Sequence, residues 1–545
     1  VESRIRDLHQ QTERLFSDRL PLLSLWQSIA DNFYPERAEF TASRSLGDDF
    51  AAHLSTSYPI LARRDLGNAF SSMLRPAGQQ WFNMGLEMED REDNAAKRWL
   101  EWATGVQFRA MHDRSSGFVR ATKEGDQDFA AFGQCVLSAE LNRRGDGLLF
   151  RNWHLRDVTW CENADGVIDT VRRRWEPTAR DLNALFRGNV SEQTKRCLDK
   201  EPYKKIPCIH AVIPSEEYEA PAGKKRPRQP FVSIYYEADT GHVLEEKPLW
   251  QLGYIIPRWQ TVSGSQYAYS PATVAALPDA RLIQAMTLTL LEAGEKAVNP
   301  PMLAVQEAIR SDVAIFAGGI TWVDAEYDER LGEVLRPLTQ DKSGIPLGID
   351  MQRDARDMIA QAFFLNKLNL PIMAGDMTAT EVSQRVQEYI RNALPLFEPM
   401  EPEYNGALCE AAFDLLLRGG AFGSVQDMPQ SLRGQDVRFR FESPLREASG
   451  KQKAQTFLQA KGLLAEAVAL DPSARYLIDT KTALRDALDG AGVPAKWIPD
   501  EETVLSMEQQ EKQMQEAQAL LQTMQAGAET ARTVGEAGMA LQGVG

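Results

Sequence analysis

Apolar residues recur at steps of four and three through Met351, Ala355, Met358, Ala362 and Leu365, which predicts a helix over about 350–370 with one apolar face. Arg353 and Asp357 sit four apart, as surface charges on a helix do. Pro371 ends the helix by restricting Leu370 and by lacking an N–H. A loop of Ile372, Met373, Ala374, Gly375, Asp376 and Met377 follows. Thr378-Ala379-Thr380-Glu381 then opens a second helix with a capping box, in which Thr378 and Glu381 satisfy each other's orphan N–H groups. Pro395, Pro399 and Pro402 must kink or break that helix.

Earlier in the chain, Leu8, Leu15, Leu22 and Ile29 fall seven apart within a helical segment over 2–33, with a break or kink at Pro21. Helices are expected near 57–74, 94–112 and 118–132, and a strand over 81–86. Residues 134–260 change character. Short β-like runs at 134–141, 148–152, 158–161, 167–175, 206–213, 231–237 and 243–250 alternate with turns such as Gly145-Asp146-Gly147 and Asn163-Ala164-Asp165-Gly166. A helical insert over 178–200 interrupts them, with Thr178 as its N-cap and Asp181 three residues on. Residues 1–260 read as one α+β unit.

A helix over 278–298, with Leu282, Met286, Thr289, Ala293 and Ala297 on one face and a length of roughly 30 Å, stops at Asn299-Pro300-Pro301. Before the helix at 350 lie two apolar runs around Gly318-Gly319, a hairpin signal that includes Phe316 and Trp322. Two long helices therefore bracket a small β-containing insert. Beyond it come a strand at 437–441, helices near 451–470 and 472–488 with Asp471-Pro472 as the second one's cap, and a weak heptad through Met507, Met514 and Leu521. The fold class is α+β, helix-rich.

Composition narrows the function classes. The 545 residues are 43% hydrophobic and 25% charged, an ordinary globular balance. No run of 18 or more apolar residues marks a membrane span, and Val1–Arg6 lacks the apolar core of a signal peptide. Five scattered cysteines without a C-x-x-C pair read as reduced thiols. The net charge of -16 argues against a protein that grips DNA tightly by its phosphates, so any such contact is local or loose.

Chemistry is hard to find. No P-loop, H-E-x-x-H or G-x-S-x-G pattern occurs, and the six histidines lie far apart. Neither catalytic residues, metal ligands nor a cofactor is expected. Gly223-Lys224-Lys225 with Arg226 and Arg228 reads as a basic surface loop. Asp324, Glu326, Asp328 and Glu329 read as a solvated acidic run rather than a cation site. In Arg172-Arg173-Arg174 a strand turns Arg173 to the face opposite its neighbours, where these side chains can pair with acids or touch another subunit.

Four stretches resemble the portal, or head-to-tail connector, proteins of short-tailed bacteriophages. They are Met73-Leu74-Arg75-Pro76-Ala77-Gly78-Gln79-Gln80-Trp81-Phe82; Arg109–Asp113 through Asp165–Val171; Tyr269-Ser270-Pro271 with Ala276-Leu277-Pro278-Asp279, Leu290-Leu291, Glu295-Lys296-Ala297 and Pro300-Pro301; and Met377-Thr378-Ala379-Thr380-Glu381-Val382. Their shared order covers about residues 10–445, and the proline cluster at 395–402 departs from the family pattern.

The resemblance implies a twelve-fold ring at one capsid vertex. It implies a wing over 1–277 with its β-rich part at 134–260, stem helices at 278–298 and 350–370, and a clip at 299–349. It further implies a tunnel loop at 371–377, a kinked helix and strand of the wing at 378–449, a crown at 450–504 and a barrel or tail at 505–545. The implied partners are further copies of the chain, double-stranded DNA passing without sequence specificity, a terminase packaging motor, a tail adaptor, major capsid and scaffolding proteins, and internal core proteins, with no membrane. The implied place is the virion, after synthesis in the host cytoplasm. Two other readings stand beside this one: a phage structural protein of lower oligomeric state, and an enzyme with an unrecognised site, which would show as a pocket of convergent carboxylates.

Overall fold

The computed structural model describes residues 3–45, 47–76, 78–86, 94–221, 225–298, 300–304, 322, 335–337, 344–368, 400–424, 426–441, 444–471, 477–491, 493–494, 497–499 and 503–518. They form two compact units, one of residues 1–79 and 110–419, the other of residues 80–109 and 420–545. The continuous unit expected over 1–260 is thus corrected: residues 80–109 group with the C-terminal part.

In the first unit α1 (Ser3–Asp18) and α2 (Leu20–Phe33) are separated at Arg19, with Pro21 in the first turn of α2, where its missing N–H costs nothing. The buried face of α1 is Ile5, Leu8, Thr12 and Phe16, while Leu15 is only half-buried. A seven-residue step drifts on a straight helix of 3.6 residues per turn, so the expected face is displaced. α3 (Tyr58–Leu74) follows. The chain visits the second unit through β1 (Phe82–Leu86) and most of α4 (Asn94–Met111), then returns as α5 (Phe118–Phe132).

A three-stranded sheet joins β2 (Val136–Leu141), β3 (Leu148–Trp153) and β9 (Tyr254–Ile255) in the order β3-β2-β9. A five-stranded antiparallel meander runs β4 (Val158–Glu162), β5 (Ile168–Trp175), β6 (Cys208–Pro214), β7 (Phe231–Glu237), β8 (Val243–Leu249). Between β5 and β6 come α6 (Ala179–Leu185), capped by Thr178 as expected, and α7 (Glu192–Lys200). The meander is covered on both faces. Ile209, Ala211 and Ile213 meet Ile5 and Leu8 of α1, while Cys208 meets Ala179, Leu182 and Phe186 around α6. The cysteines are not disulfide-bonded to one another, and burial pushes Cys208 up to about 12.

The arginine run alternates as a strand requires. Arg173 stacks over Trp153 at 3.7 Å and donates to the Tyr254 hydroxyl at 2.9 Å. Arg174, on the other face, pairs with Glu13 at 2.6 Å above the Phe16 ring. Lys225, Arg226 and Arg228 of the basic loop are exposed, and Arg226 donates to the Glu216 carbonyl.

His154 joins this layer to the segment after α2. Its Nδ1 accepts the Arg156 N–H at 3.0 Å, so Nε2 carries the proton and donates to the Arg37 carbonyl at 3.3 Å. Burial, then the nearby Arg37 and Arg156 charges, lower its pKa to about 3. The unfolded chain binds this proton near pH 6.5 and the folded chain does not. Stability is therefore full above about pH 6.5 and falls as pH drops from there toward 3, by at most about 1.4 kcal/mol per unit. Urea midpoints measured from pH 7 to pH 4 are expected to fall less steeply for His154→Gln than for the parent chain. Equal slopes would refute this assignment.

In the second unit β1 pairs antiparallel with β14 (Val437–Phe441), and Trp81 stacks on Phe441. The long helix Pro444–Leu470 and a shorter one, Thr480–Gly490, follow, with further helix over 503–518. Pro472, at which the helix capped by Asp471 is expected to open, lies outside the described residues. The Asp471 N–H closes the preceding helix on the Ala467 carbonyl at 2.8 Å, and Asp479 caps the next through the Lys481 and Thr482 N–H groups.

Candidate functional site: the paired helices and the ribbon between them

α8 (Pro271–Val298) is the longest described helix of the first unit, 28 residues or roughly 42 Å. It is preceded by β10 (Gln260–Thr261) and β11 (Ala268–Tyr269). Its start is bolted to the end of α5. Ser270 Oγ donates to the Ala130 carbonyl at 2.7 Å and Thr273 Oγ1 to the Ala131 carbonyl at 2.7 Å. Ala272, Ala276, Ala280 and Ile283 are buried, and beyond Ile283 no residue of α8 is fully buried.

The expected start at 278 is corrected by seven residues. Pro278 lies inside α8 on its exposed side, so the Val274 carbonyl, which loses a helical donor, faces solvent. The Gln284 side chain fixes the exit point. Its Oε1 accepts the Ser55 and Thr56 N–H groups at 2.7 and 2.9 Å, and its Nε2 donates to the Thr56 carbonyl at 2.9 Å.

α9 (Gly344–Ala362) starts and ends earlier than expected, with Pro346 in its first turn. Phe364 adopts φ 58°, which breaks the helix before the short α10 (Leu365–Leu368). The buried line is Ala355, Ile359 and Phe363, and Phe363 packs on Phe33 at 5.3 Å. Met351 and Met358, on the apolar face that the spacing predicts, are 47% and 53% exposed.

α9 pairs with α8. Gln352 Nε2 donates to Thr287 Oγ1 at 2.7 Å, and a Cβ at Gly348 would fall 2.7 Å from Leu290 Cδ2. Lower numbers on α9 meet higher numbers on α8, so the pair is antiparallel. Its outer flanks carry apolar side chains among charged ones. Leu282, Leu288 and Leu291 of α8 are exposed, as are Leu347, Ile349, Met351 and Met358 of α9. An 18-residue stretch of α8 reaches a mean hydropathy of 1.2, enough by length and composition alone to cross a membrane, although its first half packs into protein.

Between the helices β12 (Met302–Ala304) pairs antiparallel with β13 (Leu335–Pro337). A ribbon thus exists in the insert. The expected hairpin residues Phe316, Gly318 and Gly319 and the acidic run at 324–329 lie outside the described residues, and Trp322 is 68% exposed. The loop residues Ile372, Met373, Ala374, Gly375, Asp376 and Met377, the cap Thr378 and Glu381, and Pro395 and Pro399 also lie outside them.

The chain is described again from Met400, in a π-helical turn over Glu401–Gly406 that contains Pro402 and runs straight into the helix Ala407–Arg418. This turn is locked to α3 and α5 of the same unit by a buried network whose partners no sequence motif announces. Arg75 pairs with Asp126 of α5, donates to Asn405 Oδ1 at 2.6 Å and lies 4.5 Å over the Tyr404 ring. Asn405 Nδ2 donates in turn to the Leu74 carbonyl at 3.3 Å. Among the described residues no group of three His, Cys, Asp or Glu side chains is placed to hold a metal.

A family model described as bacteriophage head to tail connecting protein matches residues 6–498. The chain belongs to that family. Its role is structural, in the virion, at the junction of head and tail. Among curated relatives, a probable portal protein of Bordetella phage BPP-1 is 25% identical, over 96% of each chain. The portal protein of Salmonella phage epsilon15 is 23% identical over 98% of this chain and 96% of its own. Among solved structures, a chain from the virion of a native gene transfer agent particle matches with TM-score 0.35 at 11% identity, covering 77% of this chain and 91% of its own. One from the neck of an empty gene transfer agent particle matches with TM-score 0.34 at 12% identity, over 77% and 92%.

Proposed function

We propose that this connecting protein is the portal subunit of a short-tailed phage. Twelve copies close into a ring at one capsid vertex, through which DNA is packaged and ejected. The observation that carries the reading is the antiparallel α8–α9 pair, which leaves the core with apolar side chains on its outer flanks. A single chain leaves those flanks in water, and identical neighbours in a ring of heterologous contacts cover them.

In this reading α8 and α9 are the stem and the insert with the β12–β13 ribbon is the clip, which meets the terminase motor and later the tail adaptor. Residues 371–377 narrow the channel, the first unit supplies most of the wing, 450–504 form the crown and 505–545 a barrel or tail. Capsid, scaffolding and internal core proteins meet the outer surfaces. The net charge of -16 suits a bore through which duplex slides, since each neutralised phosphate would add affinity and salt dependence. The ATPase is a separate chain in this scheme.

Native mass spectrometry tests it. Twelve copies of the 61.0 kDa chain give a particle of about 732 kDa, seen as closed rings by negative stain. Leu291→Glu, placed on the exposed flank of α8, is expected to abolish the ring and leave a folded monomer. A stable compact dimer, or rings unaffected by that substitution, would overturn the assignment.

A further inference from the structure

The geometry points to a second site, in the first unit and independent of ring formation. A cavity of about 410 Å³ between α1 and the five-stranded sheet binds a carboxylate carried on a short apolar stem, with Arg172 as its receptor.

Arg172 lines this cavity from β5 and is only 2% exposed. Its one hydrogen bond runs from Nη1 to the Val212 carbonyl at 3.3 Å, and its Nε has no partner. Glu13 pairs with Arg174 and Glu246 with Arg4, while Glu217 at the rim acts on Arg172 through its field alone, without a hydrogen bond or ion pair. A buried guanidinium without a hydrogen-bonded counter-ion is costly, and an apolar side chain of the same volume packs there at less expense. The planar fork of a guanidinium matches a carboxylate with two parallel hydrogen bonds.

The cavity selects further. Ile5, Leu8, Ile213 and Ile234 line its inner end within a surface that is mainly polar, which limits the stem to a few methylene groups. Asp7, Glu217 and Glu219 stand exposed at its rim. Those charges repel a polyanion such as a nucleic-acid backbone and favour a ligand that carries a cation outward. The volume is that of a small molecule or of one or two side chains. The ligand is therefore a zwitterion, either free or as an acidic side chain beside a lysine or arginine on a protein segment.

Isothermal titration of the full chain tests this with two probes, 6-aminohexanoate and a blocked Ala-Glu-Lys-Ala peptide, against hexanoate and inorganic phosphate. Saturable binding of a zwitterionic probe with Kd of about 1 mM or tighter is expected, weakened at least about tenfold by Arg172→Met. The thermal midpoint of that variant is expected to equal or exceed the parent's, which a merely structural arginine would not allow. Tighter binding of the peptide assigns the site to a protein segment, and tighter binding of the free acid to a small molecule.

No saturable binding of either probe, binding indifferent to Arg172→Met, or phosphate binding as well as the zwitterions would each overturn the proposal. Should Arg172→Met fail to fold, the rim variant Glu217→Gln/Glu219→Gln decides. It is expected to bring 6-aminohexanoate down to the affinity of hexanoate, and an unchanged preference for the zwitterion refutes the site.

Discussion

Gly133→Ala is expected to leave little native chain, with a loss of more than about 4 kcal/mol, at the destabilising extreme for single substitutions. Gly133 closes α5 in the left-handed region, φ 72°, and its N–H bonds the Phe129 carbonyl at 2.8 Å. Any side chain there costs about 1–2 kcal/mol from backbone sterics alone. Overlap with the neighbouring chain costs more. A Cβ at this position would lie 2.1 Å from the Tyr269 carbonyl carbon and 2.3 Å from the Ser270 nitrogen. Both are backbone atoms at the point where α8 begins, so no rotamer change relieves the clash.

The same junction carries the Ser270 and Thr273 bonds to α5 and the Trp259 N–H bond to the Gly133 carbonyl. Pushing residues 269–270 away detaches α8 from the core that aims it. Soluble yield and the urea midpoint read the loss of fold, and native mass spectrometry of whatever survives reads the loss of the ring. A variant within about 1 kcal/mol of the parent would show that this junction yields, and that α8 is aimed by other contacts.

How far the sequence discloses the fold depends on the range of the signal. The meander over 158–249 is legible because alternation and turn residues act within a few positions. β7 spans Phe231–Glu237, as the pattern of those residues alone predicts, and Asn163 Oδ1 accepts the Asp165 and Val167 N–H groups in the turn that its side chain announces. Element boundaries fail where a local rule is overridden by packing. Pro278 reads as a helix start, yet the core contacts of Ala272, Ala276 and Ala280 carry the helix through it. Met351 and Met358 share a helical stripe with Ala355, but the neighbouring stripe through Ile359 and Phe363 is the one that meets α2 and α3.

Pairings across hundreds of residues leave no local trace. β1 with β14 is one, and it is why residues 80–109 belong to the second unit. For the candidate site, the helix–insert–helix plan is legible from two apolar runs and their prolines, while its assignment to a connector rests on the ordered motifs. The Arg172 cavity is half-legible. Strand alternation places Arg172 and Arg174 on one face, but only the folded chain shows that Glu13 pairs with one and that, among the described residues, no carboxylate pairs with the other.

The Arg75 network is the long-range feature with the largest consequence, and its test is a charge-removal cycle. Asp126→Leu strands the Arg75 guanidinium, which is buried between α5 and the π-helical turn with Asn405 Oδ1 and the Tyr404 ring as its remaining company. Removing one partner of a buried pair costs about 3–5 kcal/mol, because the other charge stays behind without solvent. Set against a total stability of about 5–15 kcal/mol, that shifts the urea midpoint far enough to populate unfolded chain under mild conditions.

Arg75→Met alone is expected to cost a similar amount, since it strands Asp126 and leaves Asn405 Oδ1 without its donor. The double substitution Arg75→Met/Asp126→Leu removes both charges and is expected to recover at least half of either single loss, an apolar pair of similar volume being tolerated where a lone charge is not. Asn405 makes the cycle informative about the turn itself. Its Nδ2 bond to the Leu74 carbonyl survives in the double variant, so a double variant no better than the singles would locate the lock in Asn405 and Tyr404 rather than in the ion pair. Single variants costing less than about 1 kcal/mol would mean that water reaches the pair and that the π-helical turn is held by packing alone.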